Sequence, residues 1–332
     1  MQKIFKIAKV ELNILFFSPI AWLVLILFIL QCGLTFVDLI DARETSQQLG
    51  SNLKSLSEDV FGGNKGFFSS VQNKLYLYIP LLTMGLISKE LQSGSIKLLF
   101  SSPVTSRQII LGKFLAMAFY GLLLVGVLLL IIIAAAFSID NLDVQYLLGG
   151  VFGLYLLLCA YSSIGLFMSS LTSYQVVAAI STLAVLAALN YVGTIGQSID
   201  FVRDITYWIS IAGRADNFIN GLISSKDLIY FLLIIGLFLS LTVMRFDKGR
   251  KQTSQATKFS SYTVVIIGVL IVGYVSSLPL LDVYYDTTRF KRKTLTDTTL
   301  QLINRLEEPI TLTTYVNAVS YTHLTLPTKR IV

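Results

Sequence analysis

The chain has 332 residues, of which 54% are hydrophobic and only 14% are charged, and its mean hydropathy is +0.72. A soluble domain carries roughly a quarter charged residues, so this composition excludes an ordinary soluble protein and favours several membrane-spanning helices. The net charge of +7 does not indicate nucleic-acid binding, because the basic residues flank apolar segments and do not form one patch. That distribution is typical of charges that orient a chain in a membrane.

Seven segments are apolar over about 20 residues, the length that a transmembrane helix needs. They cover residues 18–37, 76–87, 114–137, 146–168, 176–195, 228–244 and 262–281. The second is the weakest, because Gln72, Asn73 and Lys74 interrupt its apolar extension over residues 67–75. Two long polar loops, 38–70 and 196–226, are expected on the outer side, the latter with a short surface helix.

The lysine and arginine residues predict that the N-terminus is cytoplasmic. On this topology the cytoplasmic basic residues are Lys3, Lys6, Lys9, Lys89, Lys97, Arg107, Lys113, Arg245, Lys248, Arg250, Lys251 and Lys258. The outer ones before the end of the seventh helix are Arg43, Lys54, Lys65, Lys74, Arg203, Arg214 and Lys226. Residues 1–12 alternate lysines with apolar residues at helical spacing, which indicates an amphipathic helix in the cytoplasmic interface. A simple orienting cluster of charges is the alternative.

The sequence contains few of the parts that enzymes use. Gly112-Lys113 lacks the preceding glycine of a phosphate-binding loop, so the chain has no evident means of hydrolysing ATP itself. His323 is the single histidine, and Cys32 and Cys159 lie apart in apolar runs, so we expect no metal site, no cofactor and no disulfide. No acidic pair lies within a predicted span, which weakens the case for a proton-driven secondary transporter. We therefore expect a membrane protein that is not an enzyme.

A short polar segment between the second and third spans is the part of the sequence that indicates a function. Gly94 permits a tight turn after the second span. Ile96, Leu99 and Phe100 then fall on one face of a short helix, with Lys97 opposite. We expect this helix to lie parallel to the membrane and to offer a docking face; an ordinary solvated loop is the alternative.

Residues at the end of the same segment predict how it joins the third span. Pro103 ends the short helix, and Thr105 with Gln108 predicts a capping box that begins the next helix. Because that helix continues into the third span, movement of a docked partner would pass directly into the membrane.

The string Lys89-Glu90-x-x-x-Gly94-Ser95-Ile96-x-x-Leu99-x-Ser101-x-Pro103-Val104, followed by Ile110-Leu111-Gly112-Lys113, resembles the first cytoplasmic loop of ABC-2-type permeases. The resemblance covers about residues 1–246 and implies a six-helix bundle that works as a homodimer or heterodimer with a separate ABC ATP-binding subunit. In that family the loop is a coupling helix that sits on the ATPase. The residues that the resemblance assigns to the ATPase-coupling interface are Glu90, Gly94, Lys97, Leu98, Leu99, Pro103 and Arg107.

Within this family the chain resembles the gliding-motility-associated permease (GldF-like). Residues 282–318 resemble the start of its GldG-like extracytoplasmic auxiliary partner, with a predicted helix through Leu306 and a strand over Ile310 to Val316. The expected domains are the permease at 1–246, a basic linker at 247–260, a seventh transmembrane helix at 261–281, the auxiliary fragment at 282–318 and a tail at 319–332. That tail resembles translated sequencing-adapter read-through, so we expect it to be artefactual.

The expected fold is an all-α polytopic membrane protein: a six-helix bundle, a seventh transmembrane helix and a truncated α/β fragment. The expected function is that of the membrane subunit of an ATP-driven exporter in a bacterial inner membrane, in contact with lipid and an extracytoplasmic auxiliary protein. The alternative is a non-transporting membrane scaffold for assembly of cell-surface machinery.

Overall fold

The structure is a computed structural model that describes residues 2–49, 56–139, 142–194, 209–250, 255–276 and 282–289, together with isolated positions between 199 and 305. Helices dominate these residues, and the strands among them form one short antiparallel pair. The predicted all-α polytopic fold is therefore confirmed.

The helices and strands have the following bounds. The helices are α1 Gln2–Phe17, α2 Pro19–Gln48, α3 Leu56–Phe61, α4 Phe67–Thr83, α5 Ser88–Ser93, α6 Ile96–Ser101, α7 Ser106–Ser138, α8 Val144–Leu171, α9 Gln175–Tyr191, α10 Ile211–Ile219, α11 Ser225–Arg250 and α12 Gln255–Ser276. A 3-10 turn, Val192–Thr194, follows α9. The strands are β1 Leu222–Ser224 and β2 Tyr284–Asp286.

Within the described residues, 4 helices are long and apolar enough to cross a membrane. They are Pro19–Ser46, Ser106–Ser138, Val144–Leu171 and Ser225–Asp247, which coincide with the first, third, fourth and sixth predicted spans. The fifth and seventh fall on shorter apolar helices, Gln175–Tyr191 and Ser260–Ser276, and the second falls on α4. The total of seven spans stays a prediction.

Helix α8 lies at the centre of the bundle. Of its most apolar window 78% is buried, compared with 22–33% in the other three candidate spans. It packs against α4, α7, α9, α10 and α11. A helix that is apolar on every side and covered on every side is a core helix, whereas the outer helices keep apolar faces that suit lipid.

The first long loop was predicted to begin at residue 38, and this boundary is wrong. Helix α2 continues to Gln48, and a further short helix, α3, precedes α4. The segment after Asp38 contains neither glycine nor proline before Gly50 and includes good helix formers such as Ala42, Arg43 and Glu44. The change from apolar to polar residues near residue 38 ends the apolar run, but the helix continues beyond it.

The bundle has two polar ends, which α11 connects. The loop end carries α1, α5, α6 and the last turns of α11, where Phe246 is buried. The hairpin end carries α3, α10, β1, β2 and the first turn of α11. There β1 and β2 pair antiparallel with Ile223 opposite Tyr285, and Ser225 N donates to Val283 O at 2.9 Å. Residues that follow α12 therefore lie at the same end as residues that precede α11.

The predicted auxiliary fragment is described only at its start. Strand β2 is a structured element that the sequence patterns did not predict. The predicted helix through Leu306 and the strand over Ile310 to Val316 fall almost entirely outside the described residues, as does the tail at 319–332.

Candidate functional site

The segment between α4 and α7 folds as two short helices joined at a glycine. Helix α5 ends at Gly94, whose φ of 73° is left-handed, and α6 begins at Ile96. A Cβ placed on Gly94 would have no neighbour within 4 Å, so backbone conformation and not space favours glycine there. The predicted turn and short helix are confirmed.

One face of α6 packs onto the bundle. Ile96, Leu99 and Phe100 are half-buried against the hydrophobic core. The Phe100 ring meets the Phe246 ring edge-on, with centroids 5.0 Å apart and an interplanar angle of 79°. The predicted apolar face is therefore present, and it fastens α6 to the last turns of α11.

The opposite face of this segment is open. Lys97, Pro103 and Arg107 are exposed, and Leu98 is 74% exposed. Of the two leucines assigned to the coupling interface, Leu98 therefore points outward, whereas Leu99 contacts the protein's own core. An exposed leucine next to an exposed lysine is a surface that a partner can cover.

The connection into α7 has a defined backbone geometry. Ser102 is extended, with ψ 147°, as expected for a residue before proline. At the start of α7, Gln108 N donates to Thr105 Oγ1 at 3.3 Å and Thr105 N donates to Gln108 Oε1 at 3.2 Å. This confirms the predicted capping box, and α7 continues from it into the third span without a break.

A buried ion triad joins three helices at the loop end. Lys113 Nζ of α7 donates to Glu11 Oε1 of α1 at 2.6 Å and to Glu90 Oε1 of α5 at 2.7 Å. The Lys113 side chain is only 2% exposed, and those of Glu11 and Glu90 are 14% and 22% exposed. Helix α1 is thus bonded through one ammonium group to the segment that carries the exposed face.

Glu90 is directed toward the bundle, although the resemblance assigned it to the ATPase interface. Burial raises the pKa of the Glu90 carboxyl above its usual value; Lys113 opposes this rise and Glu11 reinforces it. Its Oε2 atom is buried and has no hydrogen-bond partner among the described residues. Glu90 can therefore position α5, while its neighbours on the exposed face can make contact.

A serine that sequence patterns did not single out holds the chain between α4 and α5. The second span was predicted to be helical to Ile87, but α4 ends at Thr83 and a turn follows. Ser169 of α8 donates to Met84 O at 2.9 Å and accepts from the N–H groups of Ile87 and Ser88, both at 3.1 Å. One hydroxyl thus bonds two backbone N–H groups at the helix break and shares the Met84 carbonyl with the Ser88 hydroxyl.

A second polar cluster lies at the hairpin end and was also missed. Asp227 is 0% exposed, and its carboxylate accepts from Arg214 Nη1 at 2.8 Å, Asn217 Nδ2 at 2.7 Å and Ser224 Oγ at 2.8 Å. Ser224 Oγ also accepts from Asp227 N at 3.2 Å, which caps α11. The cluster ties α10 to α11 and β1, so its evident role is structural.

Other chemistry is sparse in the part of the chain that the structure describes. Within it, no group of three or more His, Cys, Asp or Glu residues could hold a metal ion. Cys32 and Cys159 are buried and form no disulfide. The loop end therefore contains the arrangement in the described residues that best fits a functional surface.

A multi-pass bundle of apolar helices with a partly exposed polar segment at one end defines the chain as a polytopic membrane protein. The chain belongs to the ABC-2 family of transporters: the family model described as ABC-2 family transporter protein matches residues 5–295. The chain is therefore a transmembrane permease component, and the family implies an ATP-binding subunit and a permease oligomer. No curated protein matches the chain significantly. The matched range extends past the predicted permease boundary at residue 246 and includes α12 and β2.

Proposed function

We propose that this permease is half of an ATP-driven exporter, in which α5 and α6 are the coupling segment that binds the ATP-binding subunit. The observation that carries the proposal is the exposure of Lys97 and Leu98 on α6, whose other side is fastened to the bundle; Arg107, in the first turn of α7, is exposed as well. Closure of an ATPase pair beneath two copies would push on this face. The packing against α7, α8 and α11 would pass that movement into the helices.

The proposed topology places the loop end in the cytoplasm. Its support is the bias of Lys and Arg toward the segments around α1, α5, α6 and residues 245–258. Pairing of β1 with β2 supports a common side for residues 222–224 and 284–286. On this proposal both strands are extracytoplasmic, where an auxiliary protein would bind.

Export direction, a role in gliding motility and the auxiliary partner are supported by the resemblance to GldF-like permeases. The proposed localisation is a bacterial inner membrane. Domain limits at residues 246, 260, 281 and 318 are part of the same proposal, as is the artefactual nature of the tail.

Capture of the intact protein tests the proposal. We expect an ATP-binding subunit to co-purify with the wild type and to be lost with Leu98→Asp, because the substitution places a charge in the docking face. Leu49→Asp is the matched control, since Leu49 is 81% exposed but lies at the end of α2 near the hairpin end. Leu99→Asp is less discriminating, because Leu99 packs against the core and its loss would also disturb folding.

Two results would contradict the coupling segment. One is retention of the ATP-binding subunit and of coupled ATP hydrolysis by Leu98→Asp. The other is an equal loss in Leu49→Asp. If the wild type captures no ATP-binding subunit at all, the alternative of a non-transporting scaffold is favoured.

A further inference from the structure

Helix α1 keeps a large uncovered surface after it has packed against the bundle. Its buried side is formed by Ala8, 1% exposed, and Leu15, 9% exposed. Contact with α7 is close, since a Cβ on Gly112 would lie 2.7 Å from Ile7 Cγ2. The exposed positions, which include Val10, Ile14 and Phe17, lie on the opposite side of the helix and face away from the protein.

The uncovered surface changes in character along the helix. Large apolar side chains are exposed at Val10, Ile14 and Phe17, the last to 89%, and they form an apolar strip in the half that adjoins α2. The exposed lysines, Lys3, Lys6 and Lys9, lie in the first half, with Phe5 exposed among them; at 100° per residue around the helix axis, Lys6 and Lys9 fall beside the apolar strip and Lys3 falls in line with it. None of these lysines has a carboxylate partner in the described part of the chain, because Glu11, the acidic residue of α1, is bonded to Lys113. The arrangement matches a helix that lies on an anionic membrane surface.

The junction with α2 holds α1 at the membrane level. Only Ser18 separates α1 from the first candidate span. Trp22 Nε1 donates to Phe16 O at 2.7 Å, and the Trp22 and Phe16 rings lie 5.9 Å apart. A half-exposed tryptophan that begins a span is typical of the headgroup region.

We propose that α1 binds anionic phospholipid of the adjoining leaflet and that the Glu11–Lys113–Glu90 triad passes this occupancy to the coupling segment. Lys3, Lys6 and Lys9 bind headgroup phosphates, and the apolar strip enters the acyl boundary. Since Glu11 and Glu90 share one ammonium group, a shift of α1 alters the position of α5. The inference rests on the proposed function only in taking α5 and α6 as the coupling segment and the α1 side as cytoplasmic.

Native mass spectrometry of the purified full chain tests whether α1 binds anionic phospholipid. It compares the binding of phosphatidylglycerol with that of phosphatidylcholine as reference. Each lysine near an anionic surface contributes about 1 kcal/mol, so K3Q/K6Q/K9Q should weaken phosphatidylglycerol binding on the order of 100-fold. The matched control is K65Q/K291Q/K293Q, which removes three exposed lysines away from the loop end and should change affinity less than about twofold. Equal losses in both variants, or no wild-type preference for phosphatidylglycerol, would overturn the binding site.

Hydrogen exchange of residues 88–101 in nanodiscs tests whether the triad passes lipid binding at α1 to the coupling segment. We expect phosphatidylglycerol to slow exchange there in the wild type. Glu11→Gln should retain lipid affinity but lose this response, because Lys113 then holds Glu90 alone. An undiminished response in Glu11→Gln would overturn transmission through the triad. Neither measurement requires an ATP-binding subunit, so failure here is distinguishable from failure of the proposed transport function.

Discussion

Two buried ion clusters, one at each end of the bundle, differ in how fully their carboxylates are hydrogen-bonded. At the hairpin end, the carboxylate of Asp227 is completely buried and accepts three side-chain hydrogen bonds. At the loop end, Lys113 is shared by two carboxylates, and Glu90 Oε2 has no partner among the described residues. The Asp227 cluster therefore holds three elements together through a fully bonded carboxylate. The triad keeps one carboxylate oxygen without a partner, and it lies beside the exposed side chains of Lys97 and Leu98, so the proposed coupling segment joins the bundle through the less completely bonded cluster.

The largest expected effect is at the hairpin end. Asp227→Ala would leave Arg214 buried, at 5% exposure, without its carboxylate, and breaking a buried ion pair costs about 3–5 kcal/mol. Thermal unfolding in detergent micelles should show the loss. Asp247→Ala, an exposed position near the other end of the same helix, is the control and should be almost neutral. Equal effects at the two positions would show that the cluster is not a source of cohesion.

The next largest loss of stability is expected at the loop end, where Ser169 bonds the backbone between α4 and α5. Ser169→Ala should cost about 1–3 kcal/mol, because the N–H groups of Ile87 and Ser88 would lose their acceptor inside the protein. Ser170→Ala is a close control: Ser170 is also buried, but its hydroxyl donates only to Phe167 O of its own helix. Faster hydrogen exchange over residues 84–93 in Ser169→Ala alone is the expected signature. A comparable change in Ser170→Ala would contradict the assignment.

Local signals in the sequence predicted the loop end well. The capping box of Thr105 and the turn at Gly94 depend on residues close together in the chain, so their chemistry is readable without the fold. The apolar face of α6 followed from helical spacing in the same way. Each of these features depends on residues within a few positions of one another in the chain.

Contacts between residues that are far apart in the chain could not be predicted from the sequence. The hydroxyl of Ser169 meets Ile87 only when α8 and α4 pack side by side, and nothing in the surrounding apolar run distinguishes it from Ser170. Glu90 looked like a surface group, because its two partners lie in α1 and α7. The strand β2 was missed because its pairing partner β1 is separated from it by two helices.

A smaller effect tests the turn between α5 and α6. Gly94→Ala should destabilise the segment by about 1 kcal/mol, because φ at this position is 73° and a Cβ disfavours that conformation even with open space around it. Gly126→Ala lies inside α7 and also meets no atom within 4 Å, so it should stabilise by about 0.5–1 kcal/mol. Opposite signs in thermal unfolding are therefore expected. The same sign for both would refute the role of the left-handed turn.

The smallest effect is the pH dependence of stability that the burial of the Glu90 carboxyl produces. Burial raises the pKa of Glu90 above 4.5, so the folded state binds a proton more tightly than the unfolded state. Stability from this group is therefore greatest in acid, and it falls as the pH rises from 4.5 to the raised pKa of the folded state. Glu90→Gln should flatten this part of the unfolding profile, whereas Glu44→Gln, an exposed position on α2, should leave it unchanged. Profiles for wild type and Glu90→Gln that run parallel throughout would mean that burial does not raise the pKa of Glu90, and the carboxylate of Glu90 would then be as well satisfied as that of Asp227.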